Sequence, residues 1–168
     1  RRLVKLEKFQ TIKDFDFTHI IIADYGLRLL QVAPLLPYYD IDPNIVRFVG
    51  TGAWDDAVFY DEPSLIGSIY PGIELKNRKQ LNDDYQSLYE ERLLRISTLP
   101  YDLVGLLDYF ISNDYTTLSL YKTLQDKKIR FAGVDGNFYF SNNRIERDLT
   151  ILQIKDGKTK VISKQEWF

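Results

Sequence analysis

Two short, nearly unbroken apolar runs mark the first third of the chain, and each is closed by glycine. "THIIIADYG" carries Ile20 to Ala23 and ends on Asp24 and Gly26; "NIVRFVG" carries Ile45 to Val49 and ends on Gly50. Runs of this length, rich in β-branched residues, suit strands covered on both faces, as in a parallel sheet. Between them, Leu27, Leu30, Ala33 and the step from Pro34 to Leu36 predict a helix that ends near "PYYDIDP", a turn rich in proline and aspartate. Strand, helix and strand within about 30 residues make a βαβ unit, whose crossover is almost always right-handed.

The rest of the chain divides by period. Leu3, Leu6 and Phe9 share a helical face, so residues 1–9 read as the tail of a helix. After Trp54 the pattern predicts a helical turn or two, then a short strand in "SLIGSIYPG" stopped by Pro71-Gly72. Leu81, Tyr85, Leu88 and Tyr89 predict a helix over 77–94. The strongest helix is "STLPYDLVGLLDYFISN": Ser97 or Thr98 caps it, Pro100 sits in its first turn, and Leu103, Leu106, Leu107 and Phe110 form its buried stripe. A shorter helix is expected from Thr116 to Leu124. From Arg130 onward the chain alternates apolar and polar positions, with turns at Gly133, Gly136, Asn142-Asn143 and Asp156-Gly157, the last a strong hairpin signal. The fold class is α/β: parallel-sheet βαβ structure followed by β-hairpins.

Composition narrows the function classes. The 168 residues suit one ordinary domain or parts of two, and 45% apolar content is enough for a core. A net charge of −2, with basic residues interleaved among acids, gives no concentrated basic face for nucleic acid. The chain has no cysteine, which removes disulfides, thiolate zinc sites and cysteine nucleophiles and fits a periplasmic protein. Its one histidine, His19, begins an apolar strand and reads as structural. No apolar stretch approaches the roughly 18 residues of a membrane span. The chain opens on Arg1-Arg2 inside an amphipathic pattern and contains no methionine, so it is expected to be the back part of a longer protein, with any secretion signal in the front part.

Catalysis has little to work with. Asp55-Asp56 and Asp83-Asp84 are adjacent pairs whose side chains point in different directions, which makes neither an acid/base dyad. Asp55 or Asp56 near a helix start is explained by the helix dipole. Gly50-x-Gly52 is too short for a dinucleotide fingerprint, and no phosphate loop is present. The expectation is no enzyme, no cofactor and no metal. Binding is better served, because ligands of open α/β sheets sit beyond the carboxyl ends of the strands. Asp24-Tyr25-Gly26 follows the first strand and Thr51-Gly52-Ala53-Trp54 the second, offering a carboxylate, a phenol, a hydroxyl, an indole and close backbone approach. The alternative is that Tyr25 and Trp54 only cover the sheet end, and the residues alone leave both open.

Three stretches, "FDFTHIIIADYGLRLLQVAPLLPYYDIDPNIVRFVGTGAWDD", "LPYDLVGLLDYF" and "FAGVDGNFYFSNNRIERDLTILQI", occur in an order and spacing that resembles the C-terminal half of a type I periplasmic binding protein of the leucine-binding kind. The likeness runs from about residue 12 to the end and is greatest to the bacterial penicillin-binding protein activators. It rests on "GTGxWDD" and "FxGxxGxFxF" in register with the aromatic-Asp helix. The resemblance implies two α/β lobes joined by three hinge strands, with ligand held between them. Residues 1–70 would belong to the second lobe, 75–140 to the first, and 141–168 to a hinge crossover and return, with the N-terminal half absent. Amino-acid binders of this family hold the ligand's ammonium with an acid just after the strand matched by Ile45 to Val49. That place falls here on Gly52, so Asp24 would substitute, with Asp55 the weaker candidate.

The candidate ligand set is Asp24, Tyr25, Thr51, Gly52, Trp54 and Asp55, with Tyr101 from the aromatic-Asp helix. Two functions follow from the resemblance. One is a non-enzymatic periplasmic solute receptor that closes on a small polar or amino-acid-like molecule and delivers it to a membrane permease. The other is a regulator of peptidoglycan synthesis that contacts a synthase through its surface. Either would act in the periplasm, with a lipid anchor available through the front part.

Overall fold

A computed structural model describes residues 17–74 and 78–162. The helix expected over residues 1–9 lies outside them. The strands are β1 (His19–Ile21), β2 (Arg47–Val49), β3 (Ile69–Gly72), β4 (Phe131–Gly133), β5 (Gly136–Ser141), β6 (Arg144–Arg147), β7 (Thr150–Lys155) and β8 (Lys158–Val161). The helices are α1 (Gly26–Val32), α2 (Leu35–Tyr38), α3 (Lys79–Tyr89), α4 (Thr98–Ser112) and α5 (Thr117–Gln125). The chain forms two compact units, Arg1–Gly72 with Ile151–Phe168, and Ile73–Thr150.

The first unit is built on a five-stranded sheet in the order β1-β2-β3-β7-β8. β1 and β2 are parallel, pairing His19 with Arg47, Ile20 with Phe48 and Ile21 with Val49. The two apolar runs of the sequence therefore lie side by side and point the same way. β3 continues the parallel set at Val49 and Ile69, and β7 and β8 form the antiparallel hairpin whose turn holds Gly157 at φ +67°. Phe48 on β2 and Leu29 and Ala33 from the α1 region are fully buried in one cluster with Leu65, Leu152 and Ile154. Burying each such large apolar side chain contributes about 1.5–3 kcal/mol, so α1 is held by tertiary packing more than by its seven residues of helix.

One expectation changes in this unit and another takes a definite form. Pro71 does not stop β3 but lies within it; the pairing with β2 falls upstream, where the Gly50 N–H donates to the Ile69 carbonyl at 2.8 Å. After Trp54 the expected helical turn or two takes the form of 3-10 turns, Ala57–Phe59 and Pro63–Leu65, with a third, Gly52–Trp54, just before them. Side-chain oxygens of Thr51, Asp56 and Glu62 cap them, accepting from the N–H groups of Ala53, Val58 and Ser64.

The second unit carries α3, α4, α5 and the antiparallel sheet β4-β5-β6. Asn142 and Asn143 both take left-handed φ, +50° and +58°, as a two-residue hairpin turn requires. Leu106, Phe110 and Phe138 form the core, with Phe131 and Phe140 packed around them. Leu107, expected in the buried stripe of α4, is 57% exposed, and Leu103 is only partly buried. The face turned inward is Thr98, Asp102, Leu106 and Phe110, at steps of four residues. α3 is shorter than the expected 77–94 because Glu90 turns left-handed, φ +57°, and ends it.

Candidate functional site at the strand ends

Because β1 and β2 are parallel, the loops that follow them emerge at the same end of the sheet. Asp24 and Tyr25 follow one strand and Thr51, Gly52, Trp54 and Asp55 the other, all six in the first unit. The loops are directly joined: the Trp54 indole Nε1–H donates to the Asp24 carbonyl oxygen at 3.0 Å. Trp54 is 0% exposed, its ring lying against Gly50 so closely that a Cβ there would stand 2.0 Å from it. This close approach explains the first glycine of "GTGAW". Trp54 therefore has no surface to stack on a ligand, and the expectation that it walls a cleft gives way to the alternative, a residue that closes the sheet end.

Asp55 and Asp56 diverge, as adjacent side chains do. Asp55 is buried, and its Oδ1 accepts from the Tyr60 hydroxyl at 3.3 Å and the Tyr70 hydroxyl at 3.5 Å, while the two phenols meet at 3.0 Å. That carboxylate is engaged inside the unit and does not face solvent. Asp56 caps the Ala57–Phe59 turn. The residues that remain at the surface are Tyr25, 66% exposed, and Gly52, with Asp24 and Thr51 partly buried beside them. Thr51 Oγ1 accepts from the Ala53 N–H at 3.3 Å. No hydrogen bond or ion pair reaches the Asp24 carboxylate among the described residues.

Tyr101 belongs to the second unit, on the exposed flank of α4. It lines a cleft of about 620 Å³ with Tyr109, Tyr115, Arg130, Phe131 and Phe138 among its walls. The size is within the range of small-molecule sites. No local spacing announces it, because its rings come from α4, the loop after α4 and β4–β5. Tyr109 titrates above the ordinary phenol value because it is hydrogen-bonded to Tyr115, with the neighbouring phenol's charge as a second cause.

A buried charge network in the same unit also had no local signal. Asp135, in the β4–β5 turn, takes Arg78 Nη1 at 3.2 Å, Arg95 Nη1 and the Thr98 hydroxyl at 3.1 Å. Asp102 on α4 accepts from the Val134 N–H at 2.8 Å and from Arg147 Nη2 at 2.7 Å. Arg147 also donates to the Asp135 carbonyl at 2.9 Å. These ties fasten the starts of α3 and α4 to the hairpin. Among the described residues no group of three or more histidine or acidic side chains converges as a metal site would, and no helix is long and apolar enough to cross a membrane.

By sequence the chain matches no family model and no curated protein. By structure it is similar to several solved proteins. One, from Rhodospirillum rubrum and described as a branched-chain amino acid ABC transporter, superposes with a TM-score of 0.66 at 20% identity over 86% of this chain and 44% of its own. The C-domain of LpoA from Haemophilus influenzae, a regulator of PBP1A, gives 0.59 at 16% identity over 96% of this chain and 49% of its own. LivJ from Streptococcus pneumoniae, a branched-chain amino acid transporter substrate-binding protein in complex with isoleucine, gives 0.58 at 19% identity over 95% and 47%. The chain thus spans about half the length of these three structures. The parallel strands with their strand-end loops, the antiparallel hairpins and these superpositions together establish that the chain has the fold of the type I periplasmic binding proteins.

Proposed function

We propose that this chain is part of a non-enzymatic periplasmic solute receptor that takes a small polar or amino-acid-like ligand on the strand-end ledge and serves a membrane permease. One observation carries the reading: Asp24, a partly buried residue whose side chain has no partner among the described residues, and the exposed Tyr25 both follow β1 at the end it shares with β2. A carboxylate so placed favours a ligand ammonium, which would return the interactions lost with its water. Tyr25 supplies apolar area, and Thr51 and Gly52, which follow β2 at the same end of the sheet, supply polar backbone. The likeness to amino-acid binding proteins supports the reading at the level of fold. Micromolar binding there would correspond to about 8 kcal/mol of net free energy.

The test is a thermal-shift screen of the full chain against amino acids and related metabolites. Stabilisation by at least one compound, lost in Asp24→Ala and weakened in Tyr25→Ala, is expected. A second reading, a regulator that contacts a peptidoglycan synthase, is favoured by the absence of an acid at Gly52 and by the burial of Trp54, which leave fewer groups to grip a solute. The similarity to the LpoA C-domain accords with it. No stabilisation by any compound, together with direct binding to a purified peptidoglycan synthase, would favour the regulator and remove the receptor.

A further inference from the structure

The geometry points to Trp54 and Gly50 as a latch that sets the position of Asp24 from the neighbouring loop, so that the two strand-end loops move as one body. This deepens the receptor reading and rests on it for its functional consequence, but the latch itself is a property of the fold. Three observations meet at it. The indole is fully buried, so its contribution is made inside the protein and not against a ligand. Its only polar atom, Nε1–H, is used on the Asp24 carbonyl, 30 residues away in the chain. Gly50, which begins the second loop, has no side chain where any side chain would collide with the ring.

The loop that carries Trp54 is itself anchored. The Gly50 N–H is bonded to Ile69 on β3, and the next residue, Asp55, is held by Tyr60 and Tyr70. The first loop has less holding it. Gly26 opens α1 at φ +59°, and Tyr25, at the cap position of that helix, makes no side-chain capping bond. Trp54 therefore acts through Asp24 as a positioning residue. It transmits the fixed geometry of the second loop to the first, which spares the ligand the cost of ordering it.

Trp54→Phe in the full chain tests this, because it keeps an aromatic side chain at the position and removes the N–H together with part of the buried ring, whose loss the Ile154 amide controls for. Hydrogen exchange is read at two amides: Ile22, bonded to the Val49 carbonyl at 2.8 Å where the ledge begins, and Ile154, bonded to Ser68 at 2.9 Å elsewhere in the sheet. Losing one hydrogen bond of ordinary net strength should speed exchange at Ile22 about fivefold and leave Ile154 unchanged. Gly50→Ala should act by the other route. It ejects the indole, so Trp54 emission, read in a Trp167→Phe background, shifts to the red, and Ile22 exchange accelerates as in Trp54→Phe. Equal acceleration at both amides, or none at Ile22, overturns the latch. These readouts use no ligand, so they judge the latch whether or not the receptor reading survives. With isoleucine as the probe, a receptor predicts weakened binding in Trp54→Phe; if isoleucine and the other amino acids fail to bind the unaltered chain, it is the receptor reading that falls.

Discussion

Asp135 ties Arg78, Arg95 and Thr98 together in the second unit, and replacing it has a calculable cost. Asp135→Ala removes the carboxylate that Arg78, Arg95 and Thr98 share. The three losses are unequal. Arg78 is 6% exposed against 2% for Asp135, so this pair is out of reach of water, and breaking a buried pair from one side costs about 3–5 kcal/mol. Arg95 is 37% exposed, so water screens it, and its pair contributes about 1 kcal/mol at most. The Thr98 hydroxyl contributes about 1 kcal/mol. One carboxylate makes all three, so they do not add, and we expect a loss of about 4 kcal/mol. Asp135→Asn keeps the shape and drops the charge, and it should cost nearly as much as alanine. The assay is urea denaturation with hydrogen exchange resolved to amides of residues 73–150, since two units need not unfold together. A loss below about 1 kcal/mol, typical of a surface pair, or rescue by asparagine, would refute the reasoning.

Two further outcomes follow from the same unit. Gly133→Ala should destabilise by about 1–3 kcal/mol, because its Cβ would stand 2.5 Å from Asp102 Oδ2 and push that carboxylate off Arg147 and the Val134 N–H; denaturation of the same kind measures it. The Tyr139 phenol titrates above its ordinary 10.0, first because it donates to Glu146 at 2.8 Å and then through burial and the Glu146 charge. The folded chain holds this proton more tightly than the unfolded one. Its stabilisation is therefore complete below pH 10.0 and lost as pH rises through the folded value. Tyrosinate absorbance should show Glu146→Ala lowering this pKa, helped by Arg130, whose guanidinium lies 3.6 Å over the ring.

The parallel pair β1–β2 was legible because Ile20 and Phe48 lie in short apolar runs rich in β-branched residues, although β1 is not covered on both faces, Ile21 being 76% exposed. The strands proved shorter than the runs: Ala23 and Ile45 lie outside them and are exposed. The stripe of α4 was misread at Leu107 for a definite reason. Thr98 and Asp102 occupy inward positions because Asp135 and Arg147 wait there, and a pattern that scores polar residues as surface cannot see a buried ion pair. The strand-end loops were legible as a place, since both begin where an apolar run meets glycine. The division of labour within them was not. Whether an indole faces a ligand or its own backbone depends on the void over Gly50, which only the packed structure contains.

Everything proposed for the ledge depends on β1 and β2 running side by side in the same direction, and a chain without cysteine allows a clean measurement. Register pairs Ile21 with Val49 and places His19 opposite Arg47. Ile21→Cys with Val49→Cys should then form a disulfide on mild oxidation, with no free thiol left and the fold retained, because paired residues of neighbouring strands meet the Cα spacing a disulfide needs. His19→Cys with Val49→Cys should stay reduced. Cross-linking of the second pair and not the first would mean antiparallel strands, and cross-linking of neither would mean separated ones; both would contradict a shared ledge.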